Sequence, residues 1–234
     1  MTPLIIRAHL DGEVSFPGGP PALDALLIWA ACALVGRETA RPGDADWDDK
    51  PTIPLAQSSG IYLASHGYHV PEKAHLRYVN RRFPLDEAQT LGNAKLRVVN
   101  IQGGPCKSYR LPSPTAHLEG DLVTWWAIGD GDAVRDLLES CIGYLGKRRA
   151  TGRGRVRRWE VERCTPWGEG FPVVRDGAPM RPLPTSWPGL RGRLTLRYGV
   201  LTPPYWEHTR EELLAVPSWP EERPAWDVAR EAVA

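Results

Sequence analysis

The chain has 234 residues, 42% hydrophobic and 24% charged, which is enough apolar material for a packed core and excludes wholesale disorder. A formal net charge of +1 excludes a generally polybasic protein. The longest apolar run, residues 22–35 with Asp24 inside it, falls short of the roughly 20 residues that cross a bilayer. The opening MTPLIIRAHLDG lacks the basic start and long apolar stretch of a secretion signal. Cys32, Cys106, Cys141 and Cys164 form no CxxC pair, so reduced thiols in a cytoplasmic protein are expected, with neither a zinc site nor any other cofactor. Two asymmetries lie beneath these totals. Arginine outnumbers lysine 24 to 5, and proline and glycine, 23 each, make extensive loops.

Residues 3–10 alternate, with Leu4, Ile6, Ala8 and Leu10 on one face and Ile5, Arg7 and His9 on the other, as in a half-buried strand. After the turn FPGGPP, residues 22–35 read as a core helix with Pro21 at its start and Gly36 at its end. Asp24, the lone acid of that helix, is expected to be structural, bonding backbone N–H groups or pairing with an arginine. Residues 37–59 read as a surface insertion, 61–70 as a second strand, and 71–94 as a second insertion. A third strand is expected at 95–101, followed by a hairpin of 107–111 with 122–128.

Val134, Leu137, Leu138, Cys141, Ile142 and Leu145 follow the rhythm of one buried helix face, with Asp132 as N-cap and Gly146 as stop. Residues 155–164 form a further strand. The order βαββαβ is that of a ferredoxin-like, RRM-like α+β fold. This core spans residues 1–164. Residues 165–234, with eleven prolines and five tryptophans, form a Pro/Trp-rich C-terminal extension packed on the same domain, with a strand at 194–200 and a short acidic helix closing the chain.

The chemistry is concentrated in GKRRATGRGRVRRWEVER, residues 146–163, whose local charge is +6 while the rest of the chain sums to −5. Such a segment on an acidic body is a directed anion site. Gly146, Gly152 and Gly154 let a backbone approach a phosphate, the arginines supply planar forks, and Tyr144 and Trp159 flank the loop as stacking partners. The loop is neither GxxxxGK[ST] nor a dinucleotide fingerprint, because it follows a helix and opens a strand. It points to single-stranded RNA held by its backbone.

The run IGYLGKRRATGRGRV resembles the C-terminal glycine-rich loop of the RAMP superfamily of CRISPR-associated proteins. PLIIRAHLDG followed by PPALDALLIWAA resembles the first strand and helix of those proteins. Within the superfamily the chain is most similar to the small Csf-series subunit of type IV effector complexes, the counterpart of the Cas five group. The resemblance implies a ferredoxin-like RAMP core and a non-catalytic subunit that binds the five-prime handle of CRISPR RNA. It also implies assembly beside backbone RAMP subunits and a large subunit, with target DNA nearby and no membrane. By motif match the RNA-binding role falls on Gly146, Lys147, Arg148, Arg149, Gly152, Arg153, Gly154 and Arg155.

Composition adds Tyr78, Arg81, Arg82 and Phe83, and then Lys107, Tyr109 and Arg110, as further RNA contacts. The rival reading is a repeat-RNA-processing endoribonuclease built on His66, Tyr68, His69, Lys73 and His75. Against it, His66 and His69 are three apart and face opposite sides of a strand, with only Tyr68 joining His66.

Overall fold

The computed structural model describes residues 1–36, 51–75, 78–81, 100, 102, 107–112, 117–147, 149–203, 205 and 208–217. The chain divides into two compact units, Met1–Lys73 with Leu118–Glu222, and Ala74–His117 with Arg223–Ala234. In chain order the described elements are β1 (Thr2–Asp11), α1 (Leu23–Leu34), β2 (Gln57–Ser58), β3 (Ile61–Tyr62), β4 (Tyr68–His69), β5 (Lys73–His75), β6 (Tyr78–Arg81), β7 (Tyr109–Pro112), β8 (His117–Glu119), β9 (Leu122–Gly129), α2 (Gly131–Cys141), β10 (Arg155–Arg163), β11 (Val174–Arg175), β12 (Ala178–Pro179), β13 (Leu183–Pro184), β14 (Thr195–Val200) and β15 (Glu211–Val216). The protein is α+β with antiparallel sheets, and among the described residues no helix is long and apolar enough to cross a membrane.

The larger unit is organised by a four-stranded sheet in the order β10-β1-β9-β4, antiparallel at every step. Alternation decides which side of it is dry. Leu4, Ile6 and Ala8 of β1, Val123, Trp125 and Ala127 of β9, and Trp159 and Val161 of β10 enter one core with Leu23, Leu27 and Ile28 of α1 and Val134 and Leu138 of α2. Both helices therefore lie on the same face of the sheet. Trp125 and Trp159 meet there at 5.8 Å. Their indole N–H groups donate to the carbonyls of Pro21 (2.9 Å) and Ile142 (3.0 Å), which satisfies the one polar atom each ring buries. Trp159 is 6% exposed, so it is a core residue and not a stacking partner of the loop.

Several local expectations change. The cap of α2 is Asp130, whose carboxylate accepts from the N–H groups of Asp132 and Ala133, while Asp132 pairs with Arg135 at 2.9 Å. The stretch 61–70 is not one strand but β3, which pairs with β2, and β4, which pairs with β9. Gly67 between them sits so close to Trp125 that a Cβ would lie 2.9 Å from its ring. The expected hairpin of 107–111 with 122–128 is absent: β7 pairs with β6, and β9 with β1 and β4. The expected strand at 95–101 and the closing acidic helix lie outside the described residues, apart from Asn100.

The C-terminal extension joins the larger unit through apolar and ionic contacts. Val173, Val174 and Leu183 bury with Ile61, and β13-β15-β14 form a three-stranded sheet. Arg181, 1% exposed, reaches Asp24, which is fully buried. Its guanidinium donates to the carbonyls of Tyr62 (2.7 Å) and Ala64 (3.2 Å), to Asp24 Oδ2 (3.1 Å) and to the Tyr205 hydroxyl (3.1 Å). The Tyr205 hydroxyl also donates to Asp24. Asp24 thus has the structural role expected of it, with an arginine as its partner.

Candidate nucleic-acid interface

The glycine-rich loop is closed at its base by backbone pairing. Leu145 N–H donates to Gly154 O (2.7 Å) and Val156 N–H to Gly143 O (2.9 Å). The base is fastened to the segment after β1, where Lys147 N–H donates to Ser15 O and Gly154 N–H to Glu13 O, both at 2.9 Å. Gly146 and Gly154 have φ of +75° and +67°, and a Cβ would lie 2.4 Å from Ser15 O and 2.0 Å from Leu145 O respectively. Those two glycines permit backbone-to-backbone packing. Gly152, at φ +80°, faces open space, and its N–H donates to Arg149 O (2.9 Å). The N–H groups of Lys147 and Gly154 are thus spent on the segment after β1 and that of Gly152 within the loop, so these three are not free to meet an anion.

The side chains of the loop project from a fixed frame. Lys147, Arg149, Arg155 and Arg157 are exposed, and Arg155 lies 3.9 Å from Asp11. Arg153 leans on Glu13 at 3.6 Å. Arg148 lies outside the described residues. In β10 the register with β1 passes from Leu10↔Val156 to His9↔Arg158, leaving Arg157 bulged out of the ladder. Beyond the bulge, Arg158, His9 and Arg7 all contact Glu160, at 3.2, 3.0 and 2.5 Å. Hydrogen bonds from His9 and Arg7 hold the Glu160 carboxyl below its ordinary range. Exposed Lys147 and Arg149 are therefore open to a ligand, while Arg153 faces Glu13 and the cations along the sheet gather on Glu160.

In the smaller unit, β6 and β7 pair with Asn80 opposite Arg110 and Arg81 opposite Tyr109. Two candidate groups that are distant in sequence, Tyr78 with Arg81 and Tyr109 with Arg110, thereby occupy one ribbon, with exposed Lys107 just before it. Arg82 and Phe83 lie outside the described residues.

The histidines of the rival reading are placed poorly for proton transfer near neutral pH. Burial, aided by the Arg181 charge, pushes His66 down to about 4. Burial also lowers His69, which is 6% exposed and packs edge-on against Phe16 at 5.7 Å. Tyr68 is exposed and lies 6.3 Å from Trp126. Among the described residues no group of three or more His, Cys, Asp or Glu could hold a metal ion. Sequence reasoning missed Glu13 and Ser15, whose carbonyls hold the loop. Nothing in the sequence joins them to a segment so far along the chain.

These features define an α+β protein with a rigidly based, strongly cationic loop between its second core helix and the strand that follows. The family model of CRISPR type IV associated protein Csf3 matches residues 75–217, more than half of the chain, and the chain belongs to that family. The match includes the loop, α2, β10 and the β6–β7 ribbon, and it leaves out β1 and α1. No curated protein matches the chain.

Proposed function

We propose that this type IV CRISPR-associated protein is a non-catalytic, cytoplasmic effector-complex subunit that holds the five-prime handle of CRISPR RNA with its glycine-rich loop. It would then support RNA-guided DNA targeting beside backbone RAMP subunits and a large subunit. The observation that carries this reading is the loop itself, where exposed Lys147 and Arg149 project from a backbone fixed to Glu13 and Ser15. The sheet order β10-β1-β9-β4, with α1 following β1 and α2 following β9 in the chain, supports a ferredoxin-like RAMP core. The lowered His66 and His69 favour binding over cleavage.

The test is the combined replacement of Lys147, Arg148, Arg149 and Arg153 by alanine, with handle RNA binding measured across a salt series. Affinity should collapse, and the log–log salt slope should flatten by roughly 0.7 for each lost phosphate contact. Unchanged affinity and slope would overturn the reading. Incubated with labelled repeat RNA, the protein should bind without cutting. Cleavage at one position that disappears in His66→Ala or His69→Ala would move the assignment to the nuclease.

A further inference from the structure

The face of the main sheet turned away from the helices holds a groove of about 350 Å³. Its aromatic wall is Tyr68 of β4 beside Trp126 of β9, ring centroids 6.3 Å apart and tilted by 52°. Trp126 is braced from the C-terminal extension, since Trp167 meets it edge-on at 5.5 Å. The Arg175 guanidinium lies 5.9 Å from the Trp126 ring centre and 5.1 Å from that of Trp167. Tyr68 remains 46% exposed. A rigid indole beside an accessible phenol is a surface on which a flat ring stacks.

The charges around the groove narrow what that ring is. Arg7 and Arg175 are balanced by Glu72 and Asp121, so the groove has no net pull on a phosphate chain. Arg7 is moreover already engaged by Glu160 and Glu162. The carboxylates of Glu72 and Asp121 accept hydrogen bonds and offer none. A planar, uncharged ring with an amino group on its edge satisfies both the aromatic wall and the acidic rim. An apolar protein side chain would cover the aromatic wall but make no hydrogen bond to the exposed rim carboxylates.

We propose that this groove receives one unpaired nucleobase carrying an exocyclic amino group (adenine, cytosine or guanine), stacked on Tyr68 and Trp126 with its amino edge toward Glu72 and Asp121. The groove is a second contact for a bound single strand, separate from the phosphate-gripping loop. It rests on the nucleic-acid reading above only in assuming that a single strand is the ligand.

The test uses the full chain with labelled ten-nucleotide homopolymers of A, C and U, each as RNA and as DNA (T in place of U), read by fluorescence anisotropy. The A and C strands should bind about tenfold tighter than U or T, the scale of one hydrogen bond to a charged group in a groove that stacking alone would leave indifferent to the base. Tyr68→Ala should remove that preference without altering the salt slope, while Tyr68→Phe keeps it. Arg175→Ala, which loosens the brace on Trp126, should weaken it in part. A preference in either the RNA or the DNA arm supports the proposal and identifies the sugar. Equal binding of all homopolymers, or a preference that survives Tyr68→Ala, overturns it. A Tyr68→Ala protein that binds RNA normally but loses a protein subunit of its complex also overturns it, because the groove then seats a polypeptide. If the quadruple loop variant loses binding while Tyr68→Ala does not, the groove fails and the loop stands. The converse result fails the loop alone.

Discussion

Arg181 and Arg149 of the loop carry the same guanidinium, yet the protein surrounds them in opposite ways. Arg181 is enclosed, with Asp24, Tyr205 and two carbonyls answering its two terminal nitrogens. Arg149 projects into solvent from a turn whose backbone has its own partners. A buried charge with its partner removed is a heavy liability, whereas an exposed one contributes little to stability either way. The difference teaches that arginine content is a poor guide to binding. What distinguishes a ligand-ready arginine is that the fold has left its counter-charge to be supplied from outside.

The largest effect should come from the enclosed side. Arg181→Ala leaves Asp24 buried without its cation and should lower the urea-unfolding free energy by about 3–5 kcal/mol. A loss under about 1 kcal/mol, within the range of an exposed pair, would erase the comparison. Gly154→Ala comes next, because φ +67° and a Cβ 2.0 Å from Leu145 O combine strain with a clash against backbone. At least about 2 kcal/mol should be lost, measured in the same assay.

Acidification probes the surroundings of Arg181 through His66. Its folded value of about 4 lies below the ordinary 6.5, so between those two values the unfolded chain binds the extra proton and stability falls as pH drops. From pH 7 to 5 the wild type should lose about 2 kcal/mol more than His66→Gln does. Parallel pH profiles for the two proteins would refute the burial of the ring. Gly152→Ala has open space around its Cβ and meets only the left-handed strain, about 1 kcal/mol. The smallest stability change belongs to exposed Lys147→Ala and Arg149→Ala, each within about 0.5 kcal/mol as for ordinary surface positions. A marked loss there would show these cations to be structural.

Much of the frame was legible because it is periodic. The alternation of Leu4, Ile6, Ala8 and Leu10 gives β1, and the spacing of Val134 and Leu138 gives α2. The family resemblance was legible from the loop at residues 146–155, which the family match contains. What stayed hidden depends on partners chosen across the chain. Residues 107–111 and 122–128 read as a hairpin because they are neighbours, yet β9 takes the sheet position beside β1. Asp24 announced a structural acid, but its partner lies 157 residues away in a stretch with no pattern. The glycine spacing was plain. That Gly146 and Gly154 serve packing depends on the carbonyls of Ser15 and Leu145, which only the fold brings near. Trp159 looked like a neighbour of the loop, although it alternates with Val161 and so belongs inside.

The place of β1 in the sheet has a consequence for how the chain is made. β1 leaves the ribosome well before β9 and β10, the strands between which it lies, neither of which is complete until residues 122–163 are made. Until then α1, apolar on nearly every side, has no sheet to cover it. Assembly therefore waits on distant pairing, which folds slowly and leaves sticky surface uncovered during the wait. Ribosome-stalled chains ending near residue 115 should consequently be captured by chaperones, while chains released past residue 164 can close the sheet around β1.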